Sequence, residues 1–227
     1  MELNTSIECV LFDLDGTLID TAPDFIRTLS RLTAENNRPA VTDLRVKQAV
    51  SDGARSLVKL GFGIEENDDR FAPLNQRLLD LYLEQLADTE ATLYPGLSSL
   101  LIKLEAAGIP WGIVTNKPEM YSNKLLDKLD LLSRCGVLVC PDHVSERKPH
   151  PEPIFLACDR LSCSTDRTIY LGDHIRDIQA AKNADVIAVA AAYGYLSAEA
   201  KVEEWAADFI LRSSEQALPL LNTLKFA

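Results

Sequence analysis

From residue 92 onward, short apolar runs alternate with segments of helical periodicity, and this alternation constrains the fold more than any other feature of the chain. One helical segment repeats leucine at the i, i+3, i+4, i+7 spacing of an apolar helix face, at Leu97, Leu100, Leu101 and Leu104. Apolar runs predict strands at Trp111–Val114, Val137–Cys140, Thr168–Leu171, Val186–Ala190 and Phe209–Leu211. Strands separated by helices indicate an α/β fold, in which a parallel sheet carries helices on both faces.

Residues 21–90 interrupt this rhythm, because they contain helical patterns and no convincing strand. The patterns cover Ala22–Glu35, Thr42–Val50, Arg55–Leu60 and Asp69–Leu86. An apolar run that predicts a strand, Cys9–Phe12, precedes this segment, and the other strands follow it. We therefore predict an α/β core domain of residues 1–20 and 91–227. Residues 21–90 form a separate all-α domain, called the helical insert below.

Charge and composition exclude several classes of function. The 227 residues carry a net charge of −11, and a negative field disfavours binding to nucleic acid and to acidic membranes. No stretch approaches the roughly 20 apolar residues of a membrane span, and we see no signal-peptide pattern. Five cysteines without a CxxC pair favour a reducing, cytoplasmic location. The oligomeric state, monomer or dimer, stays open.

A zinc site is one reading of three of these positions, namely Cys135, Cys140 and His143. Their spacing matches no standard zinc site, and a fourth ligand is missing. We therefore interpret the two cysteines as buried or loop thiols.

Two carboxylates directly follow the first apolar run. Side chains two residues apart on an extended backbone share a face, so Asp13 and Asp15 can point into one cavity at the carboxyl end of a strand. Gly16 lets the chain turn away. Two close acids bind a cation or a proton more strongly, which suits one as nucleophile or metal ligand and the other as acid/base. A turn or a helix cap is the alternative interpretation.

Three further strand ends carry polar side chains that also have simpler interpretations. Thr115 and Asn116 can donate hydrogen bonds to phosphate oxygens, or cap a helix. Lys148 can neutralise a nucleophile and a bound phosphate together, or lie on the surface. Asp173 and Asp177 can converge on Mg²⁺, or supply charge to a helix N-terminus. Capping alone is a poor explanation for four such groups that all follow predicted strands.

Taken together, these groups resemble the four motifs of the haloacid dehalogenase superfamily. The motifs are Asp13–Thr17, Thr115-Asn116, Lys148, and Gly172-Asp173 with Asp177. The resemblance covers nearly the whole chain. It implies a Rossmann-like core, with the helical insert as an α-helical cap that closes over the site and excludes water.

The resemblance also implies a role for each motif residue. Asp13 attacks phosphorus and becomes an aspartyl phosphate, while Asp15 protonates the leaving oxygen and then activates water. The phosphoryl oxygens are held by Thr115, Asn116 and Lys148. Mg²⁺ is held by Asp13, Asp173 and the backbone carbonyl of Asp15, and Asp177 supports it directly or through water. Phosphoryl transfer needs this kind of positioning and charge neutralisation.

Within the superfamily, the chain looks most like the phosphoglycolate phosphatase group and, more closely, like the bacterial N-acetylmuramic acid 6-phosphate phosphatases. The similar stretches include Asp20–Phe25, Ser51–Arg55, Cys140–Val144 and Tyr193–Tyr195. Both substrates are small phosphate esters that carry a carboxylate. The planar guanidinium of Arg55 suits such a group, although an exposed helical arginine is an equally simple interpretation.

One position departs from the family pattern. His174 follows the motif acid Asp173, where many relatives carry a small or acidic residue. We interpret His174 as a partly exposed loop residue rather than a ligand. The departure leaves the surroundings of the metal open and does not change the expected chemistry.

Other activities on the same fold remain to be weighed. Phosphosugar mutases share all four motifs and stay open as an alternative. Phosphonatases use a cap lysine, but Lys47 and Lys59 lie in no recognisable context. Dehalogenases do not need the second acid, and a binding protein without catalysis could lose Asp13 or Asp15. We therefore predict a phosphatase that acts on a small phosphate ester.

Overall fold

The computed structural model describes residues 6–224, and it confirms the predicted α/β fold. The strands are β1 (Cys9–Phe12), β2 (Ile19–Asp20), β3 (Thr92–Leu93), β4 (Trp111–Val114), β5 (Val137–Val139), β6 (Thr168–Gly172), β7 (Ile187–Ala191) and β8 (Phe209–Leu211). Six of them form one parallel sheet in the order β5-β4-β1-β6-β7-β8. Residues 1–5 and 225–227 of the predicted core lie outside the described residues.

Helices surround this sheet and fill the segment between β2 and β3. They are α1 (Ala22–Glu35), α2 (Asp43–Ala49), α3 (Ala54–Phe62), α4 (Phe71–Gln85), α5 (Leu97–Ala106), α6 (Glu119–Lys128), α7 (Glu152–Leu161), α8 (Ile175–Asn183) and α9 (Ala217–Thr223). Within residues 6–224, no helix combines the length and the apolar character needed to cross a bilayer.

The central strand β1 is buried on both faces of the sheet. Val10 and Phe12 pack into one apolar cluster, and Cys9 and Leu11 pack into the other. Residues of alternating direction thus contribute to two cores, as expected for a parallel sheet covered on both sides. Phe12 is in register with Ile113 of β4 and with Leu171 of β6. The residues that follow these three strands therefore meet at one edge.

A two-stranded antiparallel pair joins the two ends of the helical insert. Ile19 is in register with Leu93, and Asp20 with Thr92. The sequence did not predict this pairing, because strands of two residues are too short to show a period. The pairing keeps the chain that leaves toward α1 beside the chain that returns after α4.

One predicted helix is shorter than expected. The sequence pattern from Lys117 to Leu132 predicts one helix, with Pro118 near its first turn. This prediction is wrong at both ends, because α6 covers only Glu119–Lys128. Pro118 has extended backbone angles, and Asp130 takes the left-handed conformation beyond the other end. Lys117 therefore lies on the loop between β4 and α6.

A buried carboxylate ties the first insert helix to the returning chain. Asp24 on α1 is fully buried, and its Oδ1 accepts hydrogen bonds from Gln85 Nε2 at 3.2 Å and from the Glu90 amide at 2.9 Å. Its other oxygen accepts from the hydroxyl of Thr89. One side chain thus satisfies three donors near the end of the insert.

We expect Asp24→Ala to lower the free energy of unfolding by about 3 kcal/mol, because it removes a buried charged acceptor that three partly buried donors share. Denaturant unfolding monitored by circular dichroism measures the change. Asp43→Ala, which removes an exposed carboxylate of α2, is the matched control and should cost at most about 1 kcal/mol. Equal stability of the two variants would contradict this role of Asp24.

Candidate active site

Lys148 occupies the centre of the site formed by the strand ends. Its Nζ lies 2.8 Å from Asp13 Oδ1 and 2.7 Å from Asp177 Oδ1. It also lies 2.8 Å from the Val114 carbonyl oxygen and 2.7 Å from the Tyr170 hydroxyl. The residue is 2% exposed, so the interpretation as a surface lysine was wrong. Burial alone lowers the pKa of Lys148, but Asp13 and Asp177 outweigh burial and raise it.

Three carboxylates lie close together at this position, and two of them contact the ammonium group. Asp13, Asp173 and Asp177 each offer one oxygen, and these oxygens lie within 4.8 Å of one another. Burial, followed by the charge of Asp177, raises the pKa of Asp13 to about 6, although Lys148 opposes the shift. Burial and the charges of Asp13 and Asp177 raise the pKa of Asp173 well above its usual range. Such a cluster has a high affinity for positive charge.

One carboxylate oxygen of Asp173 is free to bind a cation. Its Oδ2 accepts hydrogen bonds from the Tyr195 amide at 2.8 Å and from Ser51 Oγ at 2.9 Å. Its Oδ1 is buried and has no hydrogen-bond partner among the described residues. An orphaned buried oxygen beside two further carboxylates fits a hard divalent cation, which prefers carboxylate ligands.

Asp177 has both of its oxygens engaged. Oδ1 accepts from Lys148 and faces the Tyr170 hydroxyl at 3.2 Å, while Oδ2 accepts from the His174 amide at 3.0 Å. The predicted capping role is therefore present too, since Asp177 closes a capping box at the start of α8. His174 is the N-cap residue, and it accepts a hydrogen bond from the Arg176 amide at 3.1 Å.

The side chain of Asp15 contacts residues outside the acid cluster. Its Oδ1 accepts from Thr21 Oγ1 at 2.7 Å and from Lys117 Nζ at 2.9 Å. Asp13 and Asp15 nevertheless line the same cavity, as their spacing predicted. Asp13 thus lies beside Lys148 at the centre of the site, and Asp15 lies beside Lys117 where the core meets the helical insert.

A residue that follows β4 contacts the loop that carries Lys148. Asn116 Nδ2 donates to the Lys148 carbonyl oxygen at 3.0 Å, and its buried Oδ1 has no partner among the described residues. Thr115 is buried, and its hydroxyl accepts from the Lys117 amide at 3.1 Å. This last bond is the capping-type contact that was the alternative interpretation of Thr115.

A cavity of about 450 Å³ opens between the acid cluster and the helical insert. The insert contributes Phe25, Ser51, Arg55, Asn75, Leu79 and Tyr82 to its wall. Arg55 lies at the rim, because its side chain is 70% exposed and its Nη1 is 2.8 Å from Glu66 Oε2. Arg55 lines the same cavity as Asp13 and Lys148, but its ion pair is with Glu66 and not with the predicted site residues.

Several contacts in the site were not predicted. Tyr170 lies in β6 and belongs to the apolar run that predicts this strand, but its hydroxyl contacts Lys148. Ser51 reaches Asp173 from the helical insert, and the neighbouring Asp52 pairs with Arg176 at 3.0 Å. The available signal for Ser51 was its place in the stretch Ser51–Arg55, which resembles the phosphatase group. No local pattern pointed to Tyr170.

Comparison with known proteins agrees with this geometry. The sequence model of the haloacid dehalogenase-like hydrolase family matches residues 10–191 of the chain. An N-acetylmuramic acid 6-phosphate phosphatase of Pseudomonas aeruginosa is 40% identical over 216 residues, which cover 95% of each chain. A phosphoglycolate phosphatase of Xanthomonas campestris pv. campestris is 40% identical over 207 residues, covering 91% of this chain and 93% of the relative.

A solved structure is similar over the full length. A protein described as a predicted phosphoglycolate phosphatase from Haemophilus somnus 129pt superposes with a TM-score of 0.83 at 25% identity. The match covers 96% of this chain and 99% of that chain. The resemblance noted in the sequence is thereby confirmed.

The acid cluster predicts a specific dependence of stability on pH. In metal-free protein, Asp13 stabilises the fold below its unfolded pKa of 3.8, and this contribution is lost as pH rises through about 6.

Binding of Mg²⁺ to the cluster should also stabilise the fold. Mg²⁺ at 100 times its dissociation constant should add about 2.7 kcal/mol to the free energy of unfolding. Because protons compete with the cation, thermal unfolding should show tighter Mg²⁺ binding at about pH 7 than at about pH 5.

Asp173→Asn is the control for this measurement, because it removes one charge of the cluster and should abolish most of the Mg²⁺-dependent rise in melting temperature. An equal rise in both proteins would contradict the assignment of the cluster as the metal site.

Proposed function

The chain belongs to the haloacid dehalogenase-like hydrolases, and we propose that it hydrolyses phosphate monoesters with Mg²⁺ through an aspartyl phosphate at Asp13. The observation that carries the proposal is the cluster of three carboxylates, two of which pair with Lys148. Such a cluster provides a nucleophile, a cation site and a neutralising ammonium in one place. Phosphoryl transfer requires these components.

In the first step, an oxygen of Asp13 attacks phosphorus, and the bond between phosphorus and the ester oxygen breaks. Lys148 holds Asp13 Oδ1, which leaves the other oxygen free to attack. Asp15 gives its proton to the leaving oxygen. Thr115, Asn116 and Lys148 hold the phosphoryl oxygens, and one of these oxygens replaces a present acceptor of the Lys148 ammonium group.

In the second step, water attacks phosphorus and the bond to Asp13 breaks. Asp15 takes the proton from water, and inorganic phosphate is released, so that the enzyme returns to its starting state. Mg²⁺ would neutralise phosphate charge from a site formed by Asp13, Asp173 and the backbone carbonyl of Asp15. We assign Asp177 an indirect role through Lys148 and water, because both its oxygens already accept hydrogen bonds.

We propose that the helical insert, residues 21–90, is a cap that covers the substrate. Its Ser51 touches Asp173, and its helices supply the wall of the cavity opposite the acids. Covering the site would exclude water from the reacting phosphate. The five free thiols support a reducing, cytoplasmic environment for the enzyme.

The substrate that we favour is a sugar acid phosphate, N-acetylmuramate 6-phosphate, with phosphoglycolate as the smaller alternative. The cavity of about 450 Å³ lies in the range of roughly 300–1,000 Å³ that suits drug-sized ligands. A two-carbon acid would leave much of it empty. The substrate named for the P. aeruginosa relative is the larger of the two.

Arg55 is our candidate for binding the substrate carboxylate. It lines the cavity, and its ion pair with Glu66 is solvent-exposed. Exposed pairs contribute only about 0–1 kcal/mol, so Arg55 can exchange this partner for a ligand at little cost.

We expect Asp13→Asn to lower phosphate release by at least about 10³-fold, because an amide is a poor nucleophile at phosphorus. Asp127→Asn, an equivalent change at an exposed position of α6, should leave the rate unchanged. Release of phosphate from N-acetylmuramate 6-phosphate and phosphoglycolate with Mg²⁺ is the assay. Wild-type turnover in Asp13→Asn would refute the nucleophile assignment.

The same assay distinguishes hydrolysis from the mutase alternative. A hexose 1-phosphate that gives an isomeric hexose phosphate, without free phosphate, would identify a mutase. Free phosphate as the product would support hydrolysis.

We expect Arg55→Ala to reduce kcat/KM about 10-fold or more on carboxylate-bearing substrates, because a charged hydrogen bond contributes about 1.5–3 kcal/mol. Hydrolysis of p-nitrophenyl phosphate, which lacks a carboxylate, should change little. Arg70→Ala is the matched control, since Arg70 is also 70% exposed and pairs with Asp68. Equal losses on both substrate types would remove Arg55 from carboxylate recognition.

A further inference from the structure

Lys117 is a buried cation at the border between the core and the helical insert. It lies on the loop after β4, and its side chain is 6% exposed. Its Nζ is 2.9 Å from Asp15 Oδ1 and 3.2 Å from Asp15 Oδ2. A lysine is rarely this buried without a specific partner, and here the partner is the acid/base residue of the proposed reaction.

The helical insert builds the other half of the Lys117 environment. Tyr82 on α4 places its hydroxyl 2.7 Å from Lys117 Nζ. The ammonium also lies 4.5 Å from the ring centroid of Tyr82 and 4.8 Å from that of Phe25 on α1, distances typical of cation–π contact. The two rings stack at 4.2 Å with an interplanar angle of 5°. Two packed insert helices thus fix one core lysine.

The contacts of Asp15 distinguish its two oxygens. Oδ1 accepts two short hydrogen bonds, from Thr21 Oγ1 at 2.7 Å and from Lys117 Nζ at 2.9 Å. Oδ2 has only the longer contact with Lys117 at 3.2 Å. Oδ1 is therefore anchored, and Oδ2 is the oxygen available to exchange a proton with the substrate or with water.

We propose that Lys117 is a positioning residue that orients Asp15 for proton transfer and makes this orientation depend on the packing of the helical insert. The inference rests on the proposed function and extends it to a residue outside the four motifs. When α1 and α4 lie against the core, their rings and the Tyr82 hydroxyl fix Lys117, and Lys117 fixes Asp15. When the insert moves away, Lys117 loses these contacts and Asp15 loses its anchor.

A purely structural ion pair is the competing explanation. Buried ion pairs often contribute little net stability, because desolvation offsets their attraction. The two explanations differ in which reaction step they affect. Loss of a positioning residue impairs the steps that need Asp15, whereas a loss of folding impairs every step equally.

The test uses Lys117→Met, which keeps the length of the side chain and removes its charge, with p-nitrophenyl phosphate in a stopped-flow instrument. The p-nitrophenolate leaving group needs no proton, so phosphorylation of Asp13 should remain fast. Hydrolysis of the aspartyl phosphate still needs Asp15 as a base. We expect a burst of about one p-nitrophenolate per active site, followed by turnover about 10²-fold slower than wild type.

An alkyl phosphate provides the second arm of the experiment. Its leaving oxygen needs the proton of Asp15, so Lys117→Met should show no burst and a loss of at least about 10²-fold in kcat. Tyr82→Phe removes only the hydroxyl that contacts Lys117 and should act in the same direction with a smaller loss. This milder variant decides the question if circular dichroism shows that Lys117→Met is unfolded.

Lys124→Met is the matched control. Lys124 also bridges the core and the insert, because its Nζ donates to the Leu83 carbonyl oxygen at 2.9 Å, but Asp15 is not its partner. The activities of Lys124→Met on p-nitrophenyl phosphate and on the alkyl phosphate should equal those of wild type. The proposal is overturned if folded Lys117→Met keeps wild-type rates, or loses both substrates equally without a burst. Failure of wild-type protein to release phosphate from any ester would instead overturn the proposed function itself.

Discussion

One buried ammonium group, Lys148 Nζ, joins parts of the chain that are far apart in sequence. It contacts the acid after β1, the last carbonyl of β4 and the carboxylate of Asp177 in α8. A buried charge without partners is strongly unfavourable, so these groups must converge whenever the protein is folded. The parallel sheet supplies the convergence, because it aligns the carboxyl ends of β1, β4 and β6.

The same arrangement brings like charges close together, and the carboxylates of the site repel one another. Three carboxylates share a small buried volume with a single ammonium, and the pKa values of Asp13 and Asp173 are raised accordingly. Close approach of the backbone is a condition for this crowding. A Cβ on Gly16, whose φ is +81°, would lie 2.1 Å from Asp173 Oδ2. Glycine is needed at that turn for its conformation and for its lack of a side chain. A divalent cation would relieve the repulsion while activating a phosphate.

Sequence patterns predicted the sheet and most of the site, because strand periodicity and the position of polar residues after strands are local features. Asp13, Lys148 and Asp173 were found in this way. The environment of Lys117 could not be predicted from local patterns, because it depends on tertiary packing of Phe25 and Tyr82 from the helical insert against the loop after β4. Arg55 lies at the rim for a similar reason, since its pairing with Glu66 arises from tertiary contacts within the insert.

The central claim is that phosphorus becomes bonded to the side chain of Asp13 during turnover. Rapid acid quenching of the enzyme with substrate and Mg²⁺, followed by digestion and mass spectrometry, tests it directly. The account predicts a phosphoryl group on the peptide that contains residue 13, which forms within one turnover and disappears as substrate is exhausted. A phosphoryl group on a different residue, or steady turnover with an unmodified enzyme at every quench time, would contradict it.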